Sequence, residues 1–269
     1  MNDLRSGTHE SSLVPSPRSR RRPSHMWLEP GANHRWVWKQ AVFGLAALAV
    51  GLALFVVLSS RSTTQFGLFI ASLALWTVLI VTVVIAYRIS IPRRLFEFRW
   101  SDVTTGIFVG LCLRFLADSL TAQSQGFLAW PSFAASVNEL PAFWWLNSIL
   151  ADGLVAPIVE ELFFRGFLLV ALYTVFRRMT KSPAAAGVAA TFISAAVFML
   201  AHAVAASFAV TVAGAVSLVA VGIATAVVTL GTGRIWGAVF AHLTFNGVWV
   251  CLAMVGTIVG GAGAVAGLN

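Results

Sequence analysis

The stretch Val159-Glu160-Glu161-Leu162-Phe163-Phe164-Arg165-Gly166 lies inside an apolar run from Ala142 to Phe176. That run is too hydrophobic to be anything but membrane-buried. Bilayer hydrocarbon penalises an ionised side chain by roughly 2.5–3.5 kcal/mol on insertion scales, so two carboxylates and a guanidinium packed this closely call for a reason. On a helix Glu161 and Arg165 stand four residues apart on one face and can pair. Glu160 is turned about 100° from Glu161. An ion pair that packs helices accounts for Glu161 and Arg165 but leaves Glu160 free to work.

Composition agrees with burial in lipid. Of the 269 residues, 58% are hydrophobic and only 10% charged, against about a quarter charged in a soluble domain. The apolar runs are continuous, which suits α-helices and excludes a β-barrel. The fold class is therefore all-α, a polytopic transmembrane bundle of about seven to eight helices. A net charge of +8 would point to nucleic acid in a soluble chain. Here most of it belongs to a basic tail and to loop ends, where the positive-inside rule explains it, and no nucleic-acid partner is expected. Cys112 and Cys251 have neither disulfide nor metal spacing and are read as small core residues. No signal peptide is evident.

Residues 1–35, with the run Arg18-Ser19-Arg20-Arg21-Arg22, read as a disordered cytoplasmic tail that touches anionic lipid headgroups. The transmembrane domain is expected over 36–269. Trp36 and Trp38 are interfacial anchors. Spans follow at about 36–59, 66–87 and 103–120, the third holding Arg114 and Asp118 at i,i+4 as a structural pair. Arg88, Arg93, Arg94 and Arg99 place the loop before the third span in the cytoplasm. Pro157 is expected to kink or break the next helix just before the glutamates, giving a short half-inserted helix and then the Glu160 helix. Further spans are expected at 183–202, 207–230 and 235–259, with a tight turn at Gly231-Thr232-Gly233-Arg234. Gly and Ala in these last spans suit close packing.

After Pro141 the acids are Asp152, Glu160 and Glu161, and the histidines are His202 and His242. Phe198 precedes His202 by one turn, and Asn246 follows His242 by one turn. Three helices thus offer polar groups, each needing a partner in lipid, and a shared site is expected. A carboxylate beside an imidazole can deprotonate a water; a second imidazole and an amide can donate to a developing oxyanion. Glu160, His202 and His242 are equally a ligand set for a divalent metal such as zinc, with water in the open position. The H-E-x-x-H helix and the Gly-x-Ser-x-Gly elbow are both missing.

The three motifs, EExxxR at Glu160, Glu161 and Arg165, FxxxH at Phe198 and His202, and HxxxN at His242 and Asn246, resemble the CPBP intramembrane protease family. That family comprises the CAAX prenyl endopeptidases and the bacteriocin-processing or Abi proteins. The resemblance covers roughly 142–250. It implies an intramembrane endopeptidase, usually labelled a metalloprotease, in which Glu160 and His202 activate water. His242 and Asn246 would stabilise the oxyanion, Arg165 would pair with Glu161, and Phe198 would pack beneath His202. The implied partners are a peptide or membrane-protein substrate and the surrounding lipids. The Arg/Ala/Val-rich composition points to a bacterial plasma membrane, with the N-terminus cytoplasmic. Two rivals make other predictions: a non-catalytic immunity or scaffold protein on the same fold, and a small proton-coupled transporter. One feature of the spacing sits awkwardly. Glu160 and His202 are roughly 25 Å of helix from their basic ends, but His242 is only about 12 Å from Arg234, so a shared site requires either helix ends offset in depth or cytoplasmic boundaries other than those given.

Overall fold

The computed structural model describes residues 36–125, 131–133, 140 and 142–266; the basic tail and most of the loop before Pro141 lie outside them. Among the described residues the chain is helical and contains no strand. The helices are α1 (Trp38–Ser60), α2 (Gln65–Ile89), α3 (Trp100–Gln125), α4 (Ala156–Phe163), α5 (Leu169–Thr180), α6 (Pro183–Ala205), α7 (Val212–Thr232) and α8 (Trp236–Ala266). Six of them, α1, α2, α3, α6, α7 and α8, are long and apolar enough to cross a membrane. Their outer faces are hydrophobic too: only 22% of the α1 window is buried although its mean hydropathy is 2.8. An exterior of that kind requires lipid around it.

Residues 144–180 form one unbroken helical run rather than two helices. Within it, π-helical segments at Leu146–Val155 and Phe164–Leu168 flank α4. Pro157 therefore does not break the chain. It sits in the first turn of α4, inside that continuous run. The wider i→i+5 pattern before it persists through Ala156, whose N–H reaches the Ala151 carbonyl. In that register the Asp152 carbonyl should be served by the N–H of residue 157, and proline has none.

The ends of the other spans follow local chemistry. Thr64, Ser182 and Thr211 cap α2, α6 and α7 by accepting from the N–H groups of Gly67, Ala185 and Gly214. Gly233, at φ 71°, closes α7 in the left-handed region, as glycine at this position readily does. The span expected from residue 207 starts later, as α7 at Val212, because Ser207 and Phe208 turn through positive φ after α6. The third and last spans are longer than expected.

Cys112 and Cys251 are exposed rather than buried in the core. They lie on outward faces of α3 and α8, where a weakly polar thiol is compatible with hydrocarbon.

Candidate functional site

The three motifs meet. Glu161 and Arg165 are fully buried, with Arg165 Nη1 3.0 Å from Glu161 Oε1, as the i,i+4 spacing predicts. The sequence did not reveal that Glu161 has a second partner: His242 Nδ1 lies 2.9 Å from the same oxygen. A carboxylate facing a guanidinium accepts, so Nδ1 donates the hydrogen bond. Arg165 is enclosed further by the Phe198 ring, 4.6 Å from Cζ, and by the Gly222 carbonyl, 3.4 Å from Nη2. These contacts distribute a buried positive charge over a carboxylate, a carbonyl and a π face.

Glu160 points away from this pair. Its Oε2 stands 3.6 Å from His202 Nε2 and 4.0 Å from His242 Nε2, and it is half-buried. The other nitrogen of His202, Nδ1, lies 2.9 Å from the Phe198 carbonyl. A carbonyl can only accept, so Nδ1 carries a proton, and in the neutral ring Nε2 presents its lone pair toward Glu160. Phe198 is completely buried and packs against both imidazoles, with centroids 4.4 Å from His202 and 5.7 Å from His242. It fixes both rings from below.

Asn246 lies on α8 one turn beyond His242. Its Nδ2 donates to the Asp152 carbonyl at 2.7 Å, the carbonyl that Pro157 leaves without a backbone donor. The α8 helix is thereby tied to the π segment one turn beyond His242.

The depth mismatch is resolved by an offset of helix ends. The Ile235 N–H donates to the Leu95 carbonyl at 2.9 Å, and Trp236 Nε1 donates to the Phe96 carbonyl at 3.0 Å. A methyl group on Gly166 would meet Ile235 Cδ1 at 3.3 Å. So α8 begins beside Gly166, whereas the Glu160 helix continues past Gly166 to Thr180. Arg234 locks this start by a bidentate contact with buried Asp102, at 2.7–3.0 Å. The α3 helix then runs along α8 through Gly106 and Gly110. A methyl on the first would lie 2.8 Å from the Gly237 carbonyl oxygen, and on the second 2.6 Å from Thr244 Cβ. The G-x-x-x-G spacing was the available signal for this contact, and the sequence reading passed over it.

Two imidazole nitrogens and a carboxylate oxygen are donor types that zinc accepts. Bonds of 2.0–2.1 Å put tetrahedral donors roughly 3.3 Å apart, closer than the 3.6 and 4.0 Å seen here. Among the described residues no group of three His, Cys, Asp or Glu is placed to hold a metal ion. As arranged, the three donor atoms are spread wider than a tetrahedral zinc shell.

No curated protein and no solved structure matches the chain. Residues 142–248 match the family described as type II CAAX prenyl endopeptidase Rce1-like, and all seven residues of the three motifs fall within that segment. This match agrees with the resemblance to CPBP proteins that the motifs suggest. Residues 142–248 of this chain are thus similar to an Rce1-like type II CAAX prenyl endopeptidase domain, consistent with the CPBP family.

Proposed function

We propose that the protein is an intramembrane endopeptidase that hydrolyses a peptide bond with a water activated by Glu160 and His202. One observation carries this reading. Glu160 Oε2 and the His202 Nε2 lone pair face each other 3.6 Å apart, a gap that one water can bridge at about 2.8 Å from each. Glu161 is occupied by Arg165 and His242, so the two adjacent carboxylates have separate tasks.

In the proposed reaction Glu160 takes a proton from the water as its oxygen attacks the carbonyl carbon. The carbonyl π electrons move to oxygen. His242 holds its Nδ1–H toward Glu161, and in the imidazolium form its Nε2–H donates to that oxyanion. Collapse of the tetrahedral intermediate breaks the C–N bond, and Glu160 returns the proton to the departing nitrogen. The products are a carboxylic acid and an amine. Phe198 and Arg165 act through the rings and the carboxylate that they hold.

The substrate would be a peptide or a membrane-protein segment. The ends of the bundle carrying Arg88, Arg94, Arg177, Arg178 and Arg234 would face the cytoplasm under the positive-inside rule. The test is cleavage by the purified protein in lipid nanodiscs, using a library of internally quenched apolar decapeptides. Glu160→Gln and His202→Ala should each lower kcat by at least about 100-fold while the protein stays folded. Undiminished cleavage by both variants would overturn the mechanism, and absence of cleavage by the unaltered protein would leave a scaffold or immunity role as the better reading.

A further inference from the structure

Asp152 is an intramembrane acid outside the three motifs, and Arg114 and Asp118 lie outside the matched segment altogether. Arg114 and Asp152 nevertheless line one cavity of about 250 Å³, together with Phe245, Asn246, Trp249 and Val250. The cavity adjoins the reacting groups through Asn246, one turn from His242. On one wall Arg114 gives Nη2 to Asp118 and lays its Cζ 4.8 Å from the centroid of the Phe245 ring. Its Nε is buried with no hydrogen-bond partner among the described residues. The Asp152 side chain is exposed and opens on the same space.

We propose that this cavity receives the unwound main chain of the substrate beside the scissile bond, Arg114 donating to a substrate carbonyl and Asp152 accepting from a substrate N–H. The inference rests on the endopeptidase reading above. A chain unwound for cleavage inside a membrane loses its own helical hydrogen bonds and must find replacements, because lipid supplies none. Here a donor, Arg114, and an acceptor, Asp152, line one cavity together with apolar Phe245, Trp249 and Val250, which suits the paired polarity of a peptide group. An anionic group is disfavoured, since one guanidinium already shares the region with two carboxyl groups, Asp118 and Asp152. The volume is below the 300–1,000 Å³ usual for drug-sized ligands and suits a short piece of chain.

The experiment uses the full chain in nanodiscs and one quenched decapeptide chosen because the unaltered protein cleaves it. Arg114→Ala and Asp152→Ala should each raise KM about tenfold or more with kcat within threefold, and Arg114→Lys should recover part of the loss. Asp152→Ala keeps the main-chain carbonyl that holds Asn246, so it gives a readout even if Arg114→Ala fails to fold. A series of peptides with one amide at a time replaced by an ester, which removes a single N–H, supplies the specific sign. At one position the ester should cost the unaltered protein about tenfold in kcat/KM and cost Asp152→Ala nothing more. Unchanged KM in both alanine variants, a fall in kcat alone, or ester effects that are the same with and without Asp152 would overturn the inference and leave the endopeptidase reading standing. If the unaltered protein cleaves no peptide, or Glu160→Gln cleaves equally well, the endopeptidase reading fails and takes this inference with it.

Discussion

Asn246 donates its side-chain amide to the Asp152 main-chain carbonyl at 2.7 Å, and the register of the π segment makes that carbonyl available because residue 157 is proline. Removing the amide with Asn246→Ala should cost about 1 kcal/mol of stability and let α8 shift against Asp152. Pro157→Ala has the opposite chemistry and a related outcome. It supplies an N–H that competes for the carbonyl, so activity should fall while the thermal midpoint in detergent stays level or rises. A Pro157→Ala protein with unchanged kcat/KM would show that the tie does not position the site.

Glu161 and Arg165 are both fully buried, so removing one partner leaves an uncompensated charge, at a cost of about 3–5 kcal/mol. Arg165→Met alone should therefore destabilise more than the double change Arg165→Met with Glu161→Gln. The double variant should stay inactive, because His242 loses the carboxylate that orients its ring. Denaturation midpoints of the two singles and the double measure the coupling.

Gly222 faces Ala195 so closely that a methyl would lie 2.8 Å from its Cβ and 2.9 Å from its Cα. Backbone and a minimal side chain cannot rotate away. Gly222→Ala should force α6 and α7 apart, lower stability by about 1–3 kcal/mol, and carry Phe198 and His202 with α6. Thermal unfolding together with cleavage rate reads both effects. A neutral outcome would mean that the helices slide freely.

The clamp joins Asp102, in the first turn of α3, to Arg234, which lies between the α7 and α8 spans. Arg234→Gln leaves buried Asp102 without its cation and should cost about 2–3 kcal/mol. The hydrogen bond to Asp102 pushes the Arg234 guanidinium above its already high ordinary value. A raised value on a basic group contributes stability that disappears only as pH rises through it. Raising the pH from 7 to 10 should therefore leave this contribution intact, as unfolding midpoints of parent and Arg234→Gln at the two pH values would reveal.

Because Cys112 and Cys251 face outward, replacing both by alanine should change stability by no more than about 0.5 kcal/mol and leave cleavage unaffected. A larger loss would restore the core role that their apolar setting suggested.

Much of the site was legible because charge is scarce in hydrocarbon. Glu161 and Arg165 announce themselves by spacing, and Glu160, His202 and His242 by being the polar groups left over. The proton assignments on the two histidines were not legible. They depend on Phe198 O and Glu161 Oε1 lying at the right depth, which helical spacing cannot supply across separate helices. Pro157 misled for a related reason: its missing N–H was expected to end a helix, but the wider preceding register absorbed it. Asp102 and Arg234 are separated by 132 positions, and nothing local in the sequence marks them as partners.

The close contact of Gly106 and Gly110 with α8 bears on what counts as the working unit. The helix bearing His242 is steered by a neighbour that precedes the family segment, and its first turn is pinned by Asp102 and Leu95, also upstream. Excised at residue 142, the family segment would keep every motif residue yet lose the rail along which its last helix is aligned. Chemical identity and mechanical alignment are thus encoded in separate halves of the chain, and grafting one onto a foreign scaffold would require carrying the other along.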